Sequence, residues 1–238
     1  MSAANFYDDY LSYHIKSGIN DRIYRLYKKL RRAGLRSNET ILEIGCGIGA
    51  LTYLLAKKIK KGRIEAFDPS PKSVAYAKQH IKQANVNFSV EEALNFSPAH
   101  APYDKILLFD VLEHIPEEQH AQVFKKIANW LKDDGKMFIN LPNPEYILYD
   151  QKYNPATLQE LDQPVFLHKL LPVFEANQLA LILFQAHSVW VKHDYHFFIL
   201  QKKKEFTEQF LSKERNVVQK ILIRLQRFYR QLRYPFPK

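Results

Sequence analysis

The stretch Ile41-Leu42-Glu43-Ile44-Gly45-Cys46-Gly47-Ile48-Gly49-Ala50-Leu51-Thr52 decides how this chain is read. It has the pattern of a short buried strand, a glycine turn and the first turn of a helix. Gly45, Gly47 and Gly49 remove Cβ atoms where the backbone must turn sharply and meet a ligand at contact distance. The helix, expected from about residue 50 to 60, aims its free N–H groups at whatever lies over the loop. Lys57, Lys58, Lys60 and Lys61, followed by Gly62, suit the negative end of its dipole and a left-handed cap. The whole reads as a nucleotide-type cofactor site built from backbone.

The loop alone is ambiguous. Gly45-x-Gly47-x-x-Ala50 fits the dinucleotide fingerprint with Asp68 about 20 residues on, and a glycine triplet is sometimes only a tight turn. The neighbouring patterns narrow the choice. A second strand over residues 63–67 ends in Asp68, then Ser70 suits an N-cap and Pro71 the first position of a helix reaching about residue 83. A third strand, 86–90, is followed by Glu91-Glu92-Ala93, and a fourth, 105–109, by Asp110-Val111-Leu112-Glu113-His114-Ile115-Pro116. Pro116 starts a helix whose Val123, Ile127 and Leu131 face the sheet, and a turn at Asp133-Asp134-Gly135 precedes a fifth strand, 136–140. This beat of strand and helix predicts a parallel, doubly wound α/β sheet. Ligands bind such sheets at the carboxyl ends of the strands, where Asp68, Glu92, Asp110 and His114 all fall. A carboxylate at Asp68 can accept both hydroxyls of a ribose; a helix-capping Asp is the plainer alternative.

Residues 38–142 resemble the class I S-adenosylmethionine-dependent methyltransferases of the small-molecule type. The motifs that carry the resemblance are Leu42-Glu43-Ile44-Gly45-Cys46-Gly47-Ile48-Gly49 and Asp110-Val111-Leu112-Glu113-His114-Ile115-Pro116. The resemblance is strong over some hundred residues and extends to about residue 204. It implies a Rossmann-like fold, mostly parallel, in strand order 3-2-1-4-5-7-6, with helices on both faces. Strands 6 and 7 are expected at 179–185 and 195–201, the last one antiparallel, a feature that dinucleotide dehydrogenases lack. It implies S-adenosylmethionine as cofactor, held by Glu43, Gly45, Cys46, Gly47 and Gly49 at the first strand, with Glu43 orienting the loop and the cofactor's amino group. Asp68 would meet the ribose and Glu92 the adenine amino group, and Pro69, Ala93, Asp110 and Val111 would complete the cofactor site. The family usually has Asp preceded by Gly where this chain has Glu92.

Methyl transfer from a sulfonium is an in-line displacement from a good leaving group, so the protein mainly aligns the partners and excludes water. An oxygen nucleophile of high pKa would still want a base. The candidates are His14, His114, His168, His187, His193 and His196; the favoured ones are His114 past strand 4, His187 on the loop between strands 6 and 7, and His14. No metal is called for. An irregular cap around Leu141-Pro142-Asn143-Pro144 brings Tyr146, Tyr149 and Tyr153, with Trp190, toward a flat or apolar acceptor, and a helix at 165–177 follows. The expected activity is methyl transfer to oxygen or nitrogen of a small molecule. The rivals are an RNA or protein methyltransferase steered by a basic tail, a catalytically silent cofactor-binding protein, and an NAD oxidoreductase.

Three segments are expected: a helical lid at 1–37, the methyltransferase domain at 38–204 and a basic amphipathic helix at 205–238. In the first, Phe6, Tyr7, Tyr10 and Tyr13-His14 share an aromatic face, Ile23, Leu26, Tyr27 and Leu30 recur at helical spacing, and Ala33-Gly34 ends the helix. The net charge is +10, but eleven Lys/Arg against three Glu lie from Gln201 onward, leaving the first 200 residues at only +2. Val218, Ile221, Leu222, Leu225, Phe228, Tyr229 and Leu232 fall on one arc, with Lys220, Arg224, Arg227, Arg230 and Arg233 across from it and Ile223 misplaced. That face would dock on the chain's own domain or a second copy, or on an anionic membrane; nucleic acid is disfavoured because the body is nearly neutral. Cys46 is the lone cysteine, and the chain shows neither an N-terminal signal pattern nor a membrane-spanning run. The expected location is cytoplasmic, or peripheral at the membrane.

Overall fold

β1 (Thr40–Ile44) is the centre of the molecule because its residues alternate between two apolar layers. Ile41 packs with Leu26 and Leu30, while Leu42 and Ile44 enter the opposite layer. The computed structural model describes residues 11–159, 161–208 and 215–235, which form parts of two compact units, Met1–Lys203 and Lys204–Lys238. Phe6, Tyr7 and Tyr10 of the expected aromatic face lie outside the described residues.

In the first unit α1 (Leu11–Ser17) and α2 (Asp21–Arg32) precede β1, α3 (Ala50–Lys58) follows it, and then come β2 (Arg63–Asp68), α4 (Pro71–His80), β3 (Val86–Val90) and β4 (Tyr103–Phe109). The second half adds α5 (His120–Trp130), β5 (Leu131–Pro142), α6 (Pro144–Tyr153), α7 (Leu167–Ala176), β6 (Leu179–His187) and β7 (Tyr195–Lys202). The seven strands run in the order β3-β2-β1-β4-β5-β7-β6. All are parallel except β7, which pairs antiparallel with both β5 and β6. This is the expected Rossmann-like order. Leu26 and Leu30 of α2, Leu51 and Leu55 of α3, and Val74 and Ala77 of α4 fill one layer. Phe124 of α5 and Phe174 of α7, with ring centroids 5.1 Å apart, fill the other.

Local readings needed correction in five places. The N-terminal helix is broken at Gly18, whose φ is 48°, and α2 restarts with Asn20 accepting from the Ile23 N–H. Gly62 is no left-handed cap: α3 ends in an extended Ile59, and a Cβ on Gly62 would lie 2.0 Å from the Glu39 backbone oxygen. Pro116 leads into a short 3-10 turn, Glu117–Gln119, before α5 begins. Asp133-Asp134-Gly135 is a bulge inside β5, where the register jumps from Tyr103/Leu131 to Lys105/Lys136, so Leu131 opens the strand instead of lining a helix. The irregular cap is in fact α6: Asn143 accepts from the Glu145 N–H and Pro144 takes the first helical position.

The second unit contains α8 (Val217–Arg233). Its Asn216 and Gln219 form a reciprocal capping box, and none of its side chains is buried.

Candidate active site

At the carboxyl edge of the sheet lies a cavity of about 490 Å³. Its floor is the glycine loop. Gly45 and Cys46 both donate to the Phe67 carbonyl, at 2.9 and 3.0 Å, which folds the loop back over β2. Gly45 and Gly47 have φ of 72° and 52°, left-handed values that an L side chain resists. A Cβ on Gly45 would come within 2.6 Å of the Val111 side chain, whereas one on Gly47 would meet nothing within 4 Å. Gly47 is therefore the point where bare backbone faces open space. Gly49 serves otherwise: it does not line the cavity, and a Cβ there would strike Ile81 at 2.7 Å and Ala77 at 3.1 Å, so it lets α3 pack on α4.

Asp68 stands at the end of β2 and is 8% exposed. Its Oδ2 accepts the Gly47 N–H at 2.7 Å and its Oδ1 the Ser70 N–H at 2.9 Å, so it braces the loop and the start of α4 together. Glu43, at the end of β1, accepts the Thr52 hydroxyl at 2.6 Å, and burial pushes its carboxyl up to about 8. Pro69, Glu92, Ala93, Asp110 and Val111 also line the cavity, as expected of them. Cys46 is buried, and burial raises its thiol far above the ordinary range, which makes it a structural residue of the loop.

The expected histidines separate. His14 and His114 line the cavity. Burial, then the nearby Arg22, lowers the His14 pKa and keeps that ring neutral. His114 directs Nδ1 to the Leu161 carbonyl at 2.7 Å and to Asp162 at 3.2 Å, and its Nε2 lies 4.0 Å from Glu113 Oε1. His187 does not reach the cavity. Its Nε2 donates to Asn140 Oδ1 at 2.8 Å, and Asn140 Nδ2 donates to Asp110 at 3.0 Å, so it supports the site from behind. Burial pushes its pKa down to about 4. His168, His193 and His196 are not among the lining residues, and neither are Tyr146, Tyr149, Tyr153 and Trp190; Tyr149, Tyr153 and Trp190 are more than half exposed.

Two functional groups escaped the sequence reading. Arg22 of α2 forms an ion pair with Asp110 and donates to the Tyr195 hydroxyl at 3.2 Å. Burial opposes its charge, but Asp110 and Tyr195 hold its pKa above the ordinary value. The signal was present: Arg22 shares one helical face with Leu26 and Leu30, both fully buried, so an arginine stands in line with the core stripe. Glu113 is the second. It is 2% exposed, its Oε2 has no hydrogen-bond partner, and burial, then Asp110, pushes its pKa well above the ordinary carboxylate range.

Residues 41–135 match the family model described as a methyltransferase domain. Over 111 residues the chain is 30% identical to (S)-coclaurine N-methyltransferase of Thalictrum flavum subsp. glaucum, covering 45% of this chain and 30% of that one. Over 127 residues it is 28% identical to a ubiquinone biosynthesis O-methyltransferase of Xylella fastidiosa, covering 51% and 48%. The chain thus matches less than half the length of either relative. The crystal structure of magnesium protoporphyrin IX methyltransferase from Synechocystis PCC 6803 with bound SAH superposes with a TM-score of 0.61 at 15% identity, over 76% of this chain and 82% of that one. The match to the methyltransferase domain model runs from β1 into β5, and the chain folds with the strand order that its motifs, similar to those of the class I S-adenosylmethionine-dependent methyltransferases, implied.

Proposed function

We propose that the chain transfers the methyl group of S-adenosylmethionine to oxygen or nitrogen of a small-molecule acceptor held in the same cavity. The observation that carries this reading is the open cradle at Gly47, whose N–H is braced by Asp68 at 2.7 Å beneath a cavity of about 490 Å³, the size range of small-ligand sites. The residues fit the cofactor. Gly45, Cys46 and Gly47 would carry it along bare backbone, Asp68 and Pro69 its ribose, and Glu92 and Ala93 its base. Glu43 would answer its amino group; Asp110 and Val111 close the site beside it. Bound there, S-adenosylmethionine supplies an electrophilic methyl group already attached to a good leaving group.

The rest is the work of this chain's own side chains. Ile23, Leu94, Val111, Ile115 and Leu161 line the cavity with apolar surface that excludes water. His114 donates from Nδ1 to the Leu161 carbonyl, which assigns the proton to Nδ1 and makes Nε2 the basic atom of the ring. A proton leaving an acceptor hydroxyl or ammonium would go to His114 Nε2, 4.0 Å from Glu113 Oε1, a carboxyl whose burial disfavours its charged form. The names of the relatives, an N-methyltransferase of coclaurine and an O-methyltransferase of ubiquinone biosynthesis, support a small acceptor.

Calorimetry with S-adenosylmethionine and with its demethylated product tests the cofactor. A labelled methyl donor incubated with metabolite extracts tests the transfer. No binding sinks the whole reading; binding with no labelled product leaves a silent cofactor-binding protein in its place.

A further inference from the structure

α8, in the second unit, has the make-up of a surface-binding helix. Its seventeen residues include five Lys or Arg and no acid, and none of its side chains is buried. At 3.6 residues per turn, its apolar side chains from Val217 to Leu232, except Ile223, fall within an arc of about 140°. Ile221, Leu222, Leu225, Phe228, Tyr229 and Leu232 are each at least 50% exposed. The capping box at Asn216 and Gln219 stabilises the helix from its own residues, so its start does not rely on a packed neighbour. No helix among the described residues is long and apolar enough to cross a membrane.

We propose that α8 lies in the plane of an anionic lipid surface, its apolar arc in the boundary between headgroups and acyl chains and its guanidinium groups against lipid phosphates. The charge pattern selects this partner. Five positive charges with no acid among them call for a surface dense in negative charge. The first 200 residues carry a net charge of +2, so as a body they have no net negative charge to draw the helix, and a second α8 would set like charges side by side. A nucleic acid would satisfy the basic side and leave the apolar arc in water. A lipid surface satisfies both at once. The basic side chains nearest the apolar arc, such as Arg233, whose Nη1 donates to the Tyr229 hydroxyl at 3.0 Å, can lay their stems on the apolar side and keep their charge among the headgroups.

The test is flotation of the full chain with vesicles of phosphatidylcholine alone or mixed with phosphatidylglycerol. The expected result is partition onto the mixed vesicles, about tenfold weaker on phosphatidylcholine alone and weakened by added salt. Leu225→Glu with Phe228→Glu should abolish partition, and Arg224→Glu with Arg227→Glu should erase the preference for anionic lipid. In both, unchanged S-adenosylmethionine affinity would show an intact first unit, so this test stands apart from the methyltransferase reading. Three results would overturn the proposal: no partition onto either vesicle, partition that survives Leu225→Glu with Phe228→Glu, or a dimer by light scattering that those changes split while the wild type ignores vesicles.

Discussion

Arg22 on α2 and Asp110 at the end of β4 form an ion pair that ties the N-terminal helices to the carboxyl edge of the sheet, with side chains 20% and 14% exposed. Asp110 sits at φ 58°, a left-handed value for a residue with a side chain, and Asn140 holds it from the far side. A carboxylate buried this deeply is tolerable only with its partners in place. Arg22→Leu leaves it uncompensated and should cost about 3 kcal/mol of stability, the low end for breaking a buried pair because both side chains retain some exposure. Adding Asp110→Asn should recover part of the loss. Urea denaturation of the two single variants and the double variant measures the coupling; simple additivity would show that the pair contributes nothing as a pair.

Two glycines of one loop should fail in different ways. Gly47→Ala meets no neighbour but must keep a left-handed φ of 52°, costing about 1–2 kcal/mol of stability, and its methyl group enters the space proposed for the cofactor. Gly49→Ala strikes Ile81 and Ala77 and strains the packing of α3 on α4. The expected pattern is a larger loss of cofactor affinity for Gly47→Ala and a larger loss of melting temperature for Gly49→Ala. Thermal melts and calorimetry on both variants check it.

Asp68 has two duties that substitution can separate. Asp68→Ala removes the acceptor of the Gly47 and Ser70 N–H groups along with the proposed ribose contact, and should weaken S-adenosylmethionine binding by about 1–3 kcal/mol. Asp68→Asn keeps one acceptor oxygen for the loop but lacks the charge, so it should fall between Ala and wild type. Unchanged calorimetric affinity in Asp68→Ala would sink the ribose assignment.

Stability should depend on pH through Glu43. Its carboxyl is pushed by burial from an ordinary 4.5 to about 8, so between those values the folded chain holds a proton that the unfolded chain has released. Stability then falls as pH rises across that window. His187 acts at lower pH with the opposite slope: burial lowers it from 6.5 to about 4, so stability is lost as pH falls from 6.5 toward 4. Between 4.5 and 6.5 the two slopes oppose each other, so Glu43→Gln should flatten the fall above 6.5 and steepen the rise below it. Urea midpoints between pH 4 and pH 9 would show this, and a slope unchanged in Glu43→Gln would place the titration elsewhere.

The sheet was legible in the sequence because its signals are local. Ile41 to Ile44 is a mostly apolar run closed by glycine, Arg63 to Asp68 ends in a carboxylate and Val86 to Val90 is followed by Glu91-Glu92, so their bounds shift by at most a residue or two in the folded chain. What was missed depends on partners distant in the chain. Arg22 reads as a solvated helix charge until Asp110, on another strand, is placed beside it. His187 reads as a loop base until Asn140 claims its Nε2. Gly62 has the composition of a helix cap, but its need for glycine comes from the carbonyl of Glu39 on a neighbouring segment. The helix Pro144–Tyr153 was hidden by two prolines and a tyrosine run, although Asn143 and Pro144 are strong starting residues.

The bulge at residues 132–135 of β5 gives that strand slack at its start, before the register that ends at Asn140 is set. Side chains on a strand alternate faces, so gaining or losing one residue between Met137 and Asn140 would turn Asn140 away from both Asp110 and His187. The same change at Asp133 or Asp134 would be absorbed where the chain is already out of step. β5 can therefore vary in length near α5 while the aim of its far end is preserved.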